Sequence, residues 1–111
     1  MEVNIRERNN IIIFDIINKD IVYDGDSLLK YVKGQLDRGK RNLLLNFDNV
    51  DFVDDLVVGE IMASFVSTQN VGGKIKLQKI RPKIRSLLGT LNILNLLEVF
   101  DDEEAAIKSF F

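Results

Sequence analysis

The chain has 111 residues, of which 46% are hydrophobic and 29% are charged, with no cysteine and no histidine. This length predicts one domain over residues 1–111, with a core that needs no disulfide. The missing residue types exclude thiolate catalysis and a histidine general base, and a net charge of −2 gives no reason to expect nucleic acid as a partner.

The N-terminal residues do not have the pattern of a secretory signal. The apolar runs are too short to span a bilayer, and the longest of them is at residues 11–14. We therefore expect a cytoplasmic protein without a membrane span.

Two strands joined by a tight turn are predicted at the N-terminus. Apolar and polar residues alternate over residues 3–8, and residues 11–17 are rich in β-branched side chains. Asn9 and Asn10 lie between them, and asparagine tolerates the positive φ that a hairpin turn requires.

A helix and a buried strand are expected next. Residues 24–27 interrupt the strand pattern and supply helix N-cap residues, and Gly39 ends the helix that follows. Residues 41–47 contain three consecutive leucines, which is typical of a central strand covered on both faces. The apolar face of the helix consists of Leu28, Leu29, Val32 and Leu36.

A short acidic connection over residues 48–55 precedes the second predicted helix. Gly72 and Gly73 end this helix. Its apolar positions recur at helical spacing, which predicts that they face the core. These positions are Val58, Ile61, Met62, Phe65 and Val66.

The last part of the chain predicts strand, helix, strand and helix. Residues 74–78 alternate, Pro82 opens a helix, residues 96–100 form a short strand, and residues 101–104 carry a capping box. Phe110 and Phe111 are expected to pack on the core or to form part of a contact in a homodimer.

The predicted order is β-β-α-β-α-β-α-β-α. Strands and helices alternate after the opening hairpin, and right-handed crossovers then build parallel strands. We therefore predict an α/β fold with a mainly parallel sheet of about five strands after an N-terminal hairpin, and about four helices packed on it.

The order and spacing of several segments resemble the STAS domain, which sulfate transporters and anti-sigma factor antagonists share. Residues 43–59, LLLNFDNVDFVDDLVVG, resemble its centre, where an apolar strand leads through an Asp-Ser-Ser-Gly turn into a helix. The similarity continues downstream through GGKIKL at 72–77, RPKIRSLL at 81–88, LNILNLL at 91–97 and DDEEAA at 101–106.

The chain departs from the family pattern in the turn that a kinase modifies in phosphorylated members. The resemblance places Leu56 at the acceptor serine or threonine, Asp55 at the preceding serine and Val57 at the first glycine. Leucine has no hydroxyl, so phosphorylation at this position is not expected. Family members usually carry a Gly-x-Leu-Asp/Glu segment before the first helix, and the equivalent residues 19–22 have Lys19 at the glycine and Val22 at the acidic position.

The acidic residues near this turn admit three interpretations. In the first, Asp54 and Asp55 cap a helix and their negative charges are stabilised at its positive N-terminal end. In the second, Asp55 places a fixed negative charge where other members carry phosphate. The third interpretation is a metal site, since Asp48 and Asp51 are close in sequence to Asp54 and Asp55. The spacing does not match a calcium loop, and we predict neither a metal nor a cofactor.

The resemblance implies a non-catalytic protein that binds a partner in a bacterial signalling pathway controlling transcription. The partner class it implies is an anti-sigma factor kinase or a related signalling protein. The alternative is a structural or regulatory subunit of a signalling scaffold or a transport complex. An enzyme is not expected. The predicted partner-binding residues are Asp51, Asp54, Asp55, Leu56, Val57, Gly59 and Glu60.

Overall fold

The computed structural model describes residues 1–18 and 27–111. The predicted caps at 24–26 and the departure noted at 19–22 lie outside these residues. The elements in chain order are β1 (Glu2–Arg8), β2 (Ile11–Asn18), α1 (Leu28–Asp37), β3 (Asn42–Val50), α2 (Asp55–Asn70), β4 (Lys74–Gln78), α3 (Pro82–Thr90), a 3-10 turn (Ile93–Asn95), β5 (Val99–Phe100) and α4 (Glu103–Lys108).

The five strands lie in sequence order across one sheet, β1-β2-β3-β4-β5. The β1-β2 pair is antiparallel and the other three pairs are parallel. This arrangement confirms the predicted α/β fold with its N-terminal hairpin. Asn9 and Asn10 have φ values of 53° and 64°, which confirms the predicted turn.

The sheet is covered on both faces, but unequally. Ile12, Phe14 and Ile16 of β2 pack under a layer formed by α1, α2 and α3. Ile11 and Ile13 point to the opposite face and pack against α4. Because both faces of β2 are buried, its sequence over residues 11–14 is continuously apolar instead of alternating.

The buried stripe of α2 is rotated relative to the predicted one. Of the predicted face, Ile61 is fully buried, whereas Val66 is 49% exposed. The side that packs on the sheet includes small polar residues, which hydrophobicity alone does not identify. Its buried residues are Val57, Glu60, Ile61, Ser64 and Thr68.

Two element boundaries also differ from the prediction. β3 continues to Val50, because residues 49 and 50 pair with the end of β2, so the acidic connection is shorter than predicted. β5 consists of only Val99 and Phe100. Its pairing is therefore limited to the last two residues of β4.

An ionic cluster joins α4 to the hairpin. The Glu103 carboxylate accepts hydrogen bonds from Arg6 Nη1 at 2.9 Å, Arg8 Nη1 at 2.8 Å and Gln78 Nε2 at 2.9 Å. Arg6 also donates from Nε to Asp15 at 2.7 Å. The hydrogen bond from Arg6 is the main cause that lowers the pKa of Glu103 to about 2.

Within the described residues, 1–18 and 27–111, no helix combines the length and the apolar character that crossing a membrane requires.

Candidate functional site

The predicted partner-binding residues lie where β3 ends and α2 begins. Asn18, at the end of β2, holds the connecting loop from one side. Its backbone oxygen accepts from Asp51 N at 2.9 Å, and its Nδ2 atom donates to the Phe52 oxygen at 2.6 Å. Asn18 is 7% exposed. These two bonds, one to the backbone of Asn18 and one from its buried side chain, attach the loop to the neighbouring strand.

Arg81 holds the same loop from the α3 side. It occupies the N-cap position of α3, and its Nη1 atom lies 3.0 Å from Asp51 Oδ1. Its Nη2 atom donates to the Asp48 backbone oxygen at 2.8 Å. Both side chains of the ion pair are about half exposed, so its energy is small. Its consequence is a fixed orientation of the Asp51 carboxylate.

Asp54 and Asp55 have different positions at the start of α2. Asp54 is the N-cap, and its Oδ1 atom accepts from Val57 N at 2.9 Å. Asp55 lies in the first turn and is exposed, where a negative charge is favoured by the helix dipole. The predicted helix cap is therefore present, and Asp55 leaves an exposed carboxylate on this surface.

Leu56 and Val57, both among the predicted partner-binding residues, differ in exposure. The Leu56 side chain is 49% exposed in the first turn of α2. Val57 is 6% exposed and belongs to the core, so it is not accessible as a surface contact. The two adjacent residues lie about 100° apart around the helix, which separates their environments.

Gly59 and Glu60 differ in the same way. Gly59 is exposed, and a Cβ atom there would have no neighbour within 4 Å. Glu60 is 8% exposed, and its Oε2 atom has no hydrogen-bond partner among residues 1–18 and 27–111. Glu60 is thus brought to the site but is not accessible as a surface contact.

An apolar cleft lies on the α3 side of the loop. Its volume is about 190 Å³. Most of its lining is hydrophobic, and the charged side chains stand at the loop and helix margins. The lining residues are Asp51, Phe52, Val53, Lys83, Ile84 and Leu87.

The acidic residues of this region do not converge. Asp51 is paired with Arg81 and Asp54 caps α2. Across the described parts of the chain, no group of three or more potential ligand side chains could hold a metal ion. What the described residues offer here is a fixed apolar and acidic surface.

Sequence reasoning missed Asn18 and Arg81 as determinants of the site. A polar residue directly after the apolar β2 run was the available signal for Asn18. Arg81 is one of six basic residues within positions 74–85, so nothing local distinguishes it. These basic residues do not share one surface, because Lys76 is 7% exposed and donates to the Ser109 backbone oxygen at 2.9 Å.

Comparisons with known proteins agree with this geometry. The model of the STAS domain family matches residues 2–106. The structure of TM1081 from Thermotoga maritima, assigned as an anti-sigma factor antagonist, has a TM-score of 0.87 and 18% identity, covering 96% of this chain and 92% of that chain. The Bacillus cell fate determinant SpoIIAA in its phosphorylated form has a TM-score of 0.72 and 14% identity, covering 99% and 100%.

The anti-sigma factor antagonist SpoIIAA in its unphosphorylated form has a TM-score of 0.66 and 13% identity, covering 97% of this chain and 96% of that chain. At these identities the structural likenesses show a common fold.

Proposed function

The chain belongs to the STAS domain family, and we propose that it is a non-catalytic regulator that acts by binding another protein, as an anti-sigma factor antagonist does. The family predicted from the sequence is confirmed. Two structural neighbours, TM1081 and SpoIIAA, carry the name of anti-sigma factor antagonist, which supports the proposed class of function.

The observation that carries the proposal is the half-exposed Leu56 on a rigid loop and helix start. An apolar side chain that is 49% exposed loses contact with water when a partner covers it. Asn18, Arg81 and the Asp54 cap hold the surrounding backbone in place. A preorganised contact of this kind costs little conformational entropy on binding.

The proposed contact surface is narrower than the seven residues predicted from the sequence. Its exposed members are Asp51, Asp55, Leu56 and Gly59, with Asp54 partly exposed. Val57 and Glu60 support the surface from below, because both are buried. The partner should therefore present an apolar pocket for Leu56, with a basic margin facing the aspartates.

The proposed partner is an anti-sigma factor kinase or a related signalling protein. SpoIIAA is known in phosphorylated and unphosphorylated forms, but Leu56 has no hydroxyl to accept a phosphoryl group. Asp55 carries one negative charge, against about −1.5 to −2 for a phosphoserine. Binding by this chain would then depend on its abundance and not on phosphorylation at this position.

A second candidate function is a permanent subunit of a signalling scaffold or a transport complex. The replacement of the acceptor hydroxyl by Leu56 favours it, since a permanent subunit needs no switch at the contact. The two candidates share the same surface and differ in the class of protein that occupies it.

The test is affinity capture from the native cell extract, with the bound proteins identified by mass spectrometry. Leu56→Lys should abolish capture of the specific partner, because burying an unpaired charge is costly. Val66→Lys is the matched control, since Val66 is also in α2 and also 49% exposed. Its capture should equal that of the native chain.

The identity of the captured protein decides between the candidates. A kinase-like ATPase lost only with Leu56→Lys supports the regulator, whereas transporter components lost in the same way support the permanent subunit. Equal capture by the Leu56→Lys variant and the native chain would refute the proposed surface for both.

A further inference from the structure

The outer edge of β1 is a second exposed surface, separate from the proposed partner-binding site at the start of α2. β1 is the first strand of the sheet and pairs only with β2 among the described residues. It is seven residues long and contains no proline. Ile5, at its centre, is 40% exposed. Long unprotected edges of this kind readily pair with another strand.

The hairpin determines which backbone groups of β1 face outward. Its two-residue turn makes Arg8 and Ile11 a hydrogen-bonded pair. Every second residue of β1 therefore bonds to β2, down to Glu2. The N–H and C=O groups of Val3, Ile5 and Glu7 point to the open edge, where they can form an intermolecular ladder.

One antiparallel register aligns the whole of β1 with β1 of a second copy. With Ile5 on a two-fold axis, Ile5 faces Ile5 of the second copy and Glu2 faces Arg8 of the second copy. This register uses only outward-facing backbone groups and forms about six hydrogen bonds. A register centred on Glu7 would instead bring two glutamates directly opposite each other, which is unfavourable.

The side chains on both faces of β1 can accommodate a second copy. Arg8 is 39% exposed despite its bonds to α4, so its guanidinium can donate to a further carboxylate. On the helical face, Ile5 borders an open groove of about 460 Å³ between β1 and α1. Tyr31 and Gly34 line this groove, which leaves room for apolar side chains near the axis.

We propose that the β1 edge is a self-association surface, on which two copies of the chain pair antiparallel about Ile5 to form one continuous ten-stranded sheet. Charges on natural edge strands usually prevent pairing. In the register centred on Ile5, however, Glu2 lies opposite Arg8, Arg6 opposite Asn4 and Glu7 opposite Val3, so no like charges face each other. The pairing buries less than the ~1,200 Å² of a standard interface, so we expect a dissociation constant in the micromolar range.

The first test measures mass against concentration by sedimentation, from micromolar to millimolar chain. The native mass should rise from 12.7 kDa toward twice that value. Ile5→Lys should weaken association at least tenfold, because it places two like charges on the axis. Its thermal midpoint reports whether the hairpin still folds. A native chain that stays monomeric throughout would overturn the proposal.

The second test uses single cysteines, since the native chain has none. Ile5→Cys should form a disulfide-linked dimer rapidly under mild oxidation, because residues paired on the axis have Cα atoms about 5.5 Å apart. Val3→Cys is the control on the same edge. In this register the Val3 positions of the two copies are separated by four residues along the strands, which is ~13 Å. Equal rates for the two variants would refute the register.

This inference is independent of the proposed partner surface, because it uses none of the contacts at the start of α2. A variant that loses self-association should retain capture of the partner, and Leu56→Lys should retain self-association. The two proposals can therefore fail separately.

Discussion

The ionic cluster between α4 and the hairpin should contribute to the free energy of unfolding, and substitution of Glu103 tests this contribution. The Glu103 carboxylate accepts from Arg6, Arg8 and Gln78 at 2.8–2.9 Å and is 15% exposed. Glu103→Gln keeps the size of the side chain and removes its charge. The adjacent Glu104→Gln is the matched control, because Glu104 is 66% exposed and pairs only with Arg8 among the described residues.

The expected loss follows from the pKa of Glu103, which Arg6 and the other donors lower from 4.5 to about 2. At about 1.4 kcal/mol per pKa unit, this sets an upper limit of about 3.5 kcal/mol at neutral pH. Arg6 and Arg8 are 41% and 39% exposed, so solvent screening reduces the expected value to about 1–2 kcal/mol. Glu104→Gln should cost less than about 0.5 kcal/mol.

The pH dependence has a definite sign. Because the folded-state pKa of Glu103 is lowered, its stabilisation is complete above about pH 4.5 and is lost as the pH falls toward 2. Urea unfolding of the native chain and both variants at neutral pH and at about pH 2.5 measures this difference. Equal losses for the two variants, or a Glu103→Gln loss that persists unchanged in acid, would refute the reasoning.

Two further predictions concern the glycine at position 73 and the side-chain cap of α2, and each has a matched control. Gly73→Ala should lower the free energy of unfolding by about 1–3 kcal/mol, because its Cβ would lie 2.8 Å from the Arg41 oxygen. Gly34→Ala, inside α1 with no neighbour within 4 Å, should raise it by up to about 1 kcal/mol. Asp54→Ala should cost about 1 kcal/mol through the lost cap of α2, and Asp55→Ala less than half of that. Urea unfolding checks each pair, and a reversed order within a pair would contradict it.

The element order could be predicted because local signals agreed with the global fold. The asparagine turn, the apolar run of β2 and the Asp102 cap of α4 each determine structure through nearby residues. The buried face of α2 could not be predicted in this way. Ser64 and Thr68 are fully buried, and Thr68 satisfies its hydroxyl within the helix by donating to the Ser64 oxygen at 2.7 Å. Hydrophobicity assigns such residues to the surface.

The candidate site was predictable in position but not in its supports. The order of strand, acidic turn and helix placed Asp54 and Leu56 correctly at the start of α2. The bonds that fix this region come from Asn18 and Arg81, which are 30 or more residues away from their partners in sequence. Contacts of such range depend on the order of strands in the sheet, and no local pattern contains that information.

If Leu56 is the main contact, as proposed, the bonds from Asn18 and Arg81 explain how one leucine could be sufficient. A flexible loop would lose entropy when a partner fixed it, and this loss would offset the gain from burying one apolar side chain. Here the loop is held from β2 and from α3 before any partner arrives. The free energy gained by covering Leu56 is then available for affinity. Under the proposed function, Leu56 contributes an exposed apolar contact and carries no hydroxyl, which accords with a partner contact that is not switched at this position.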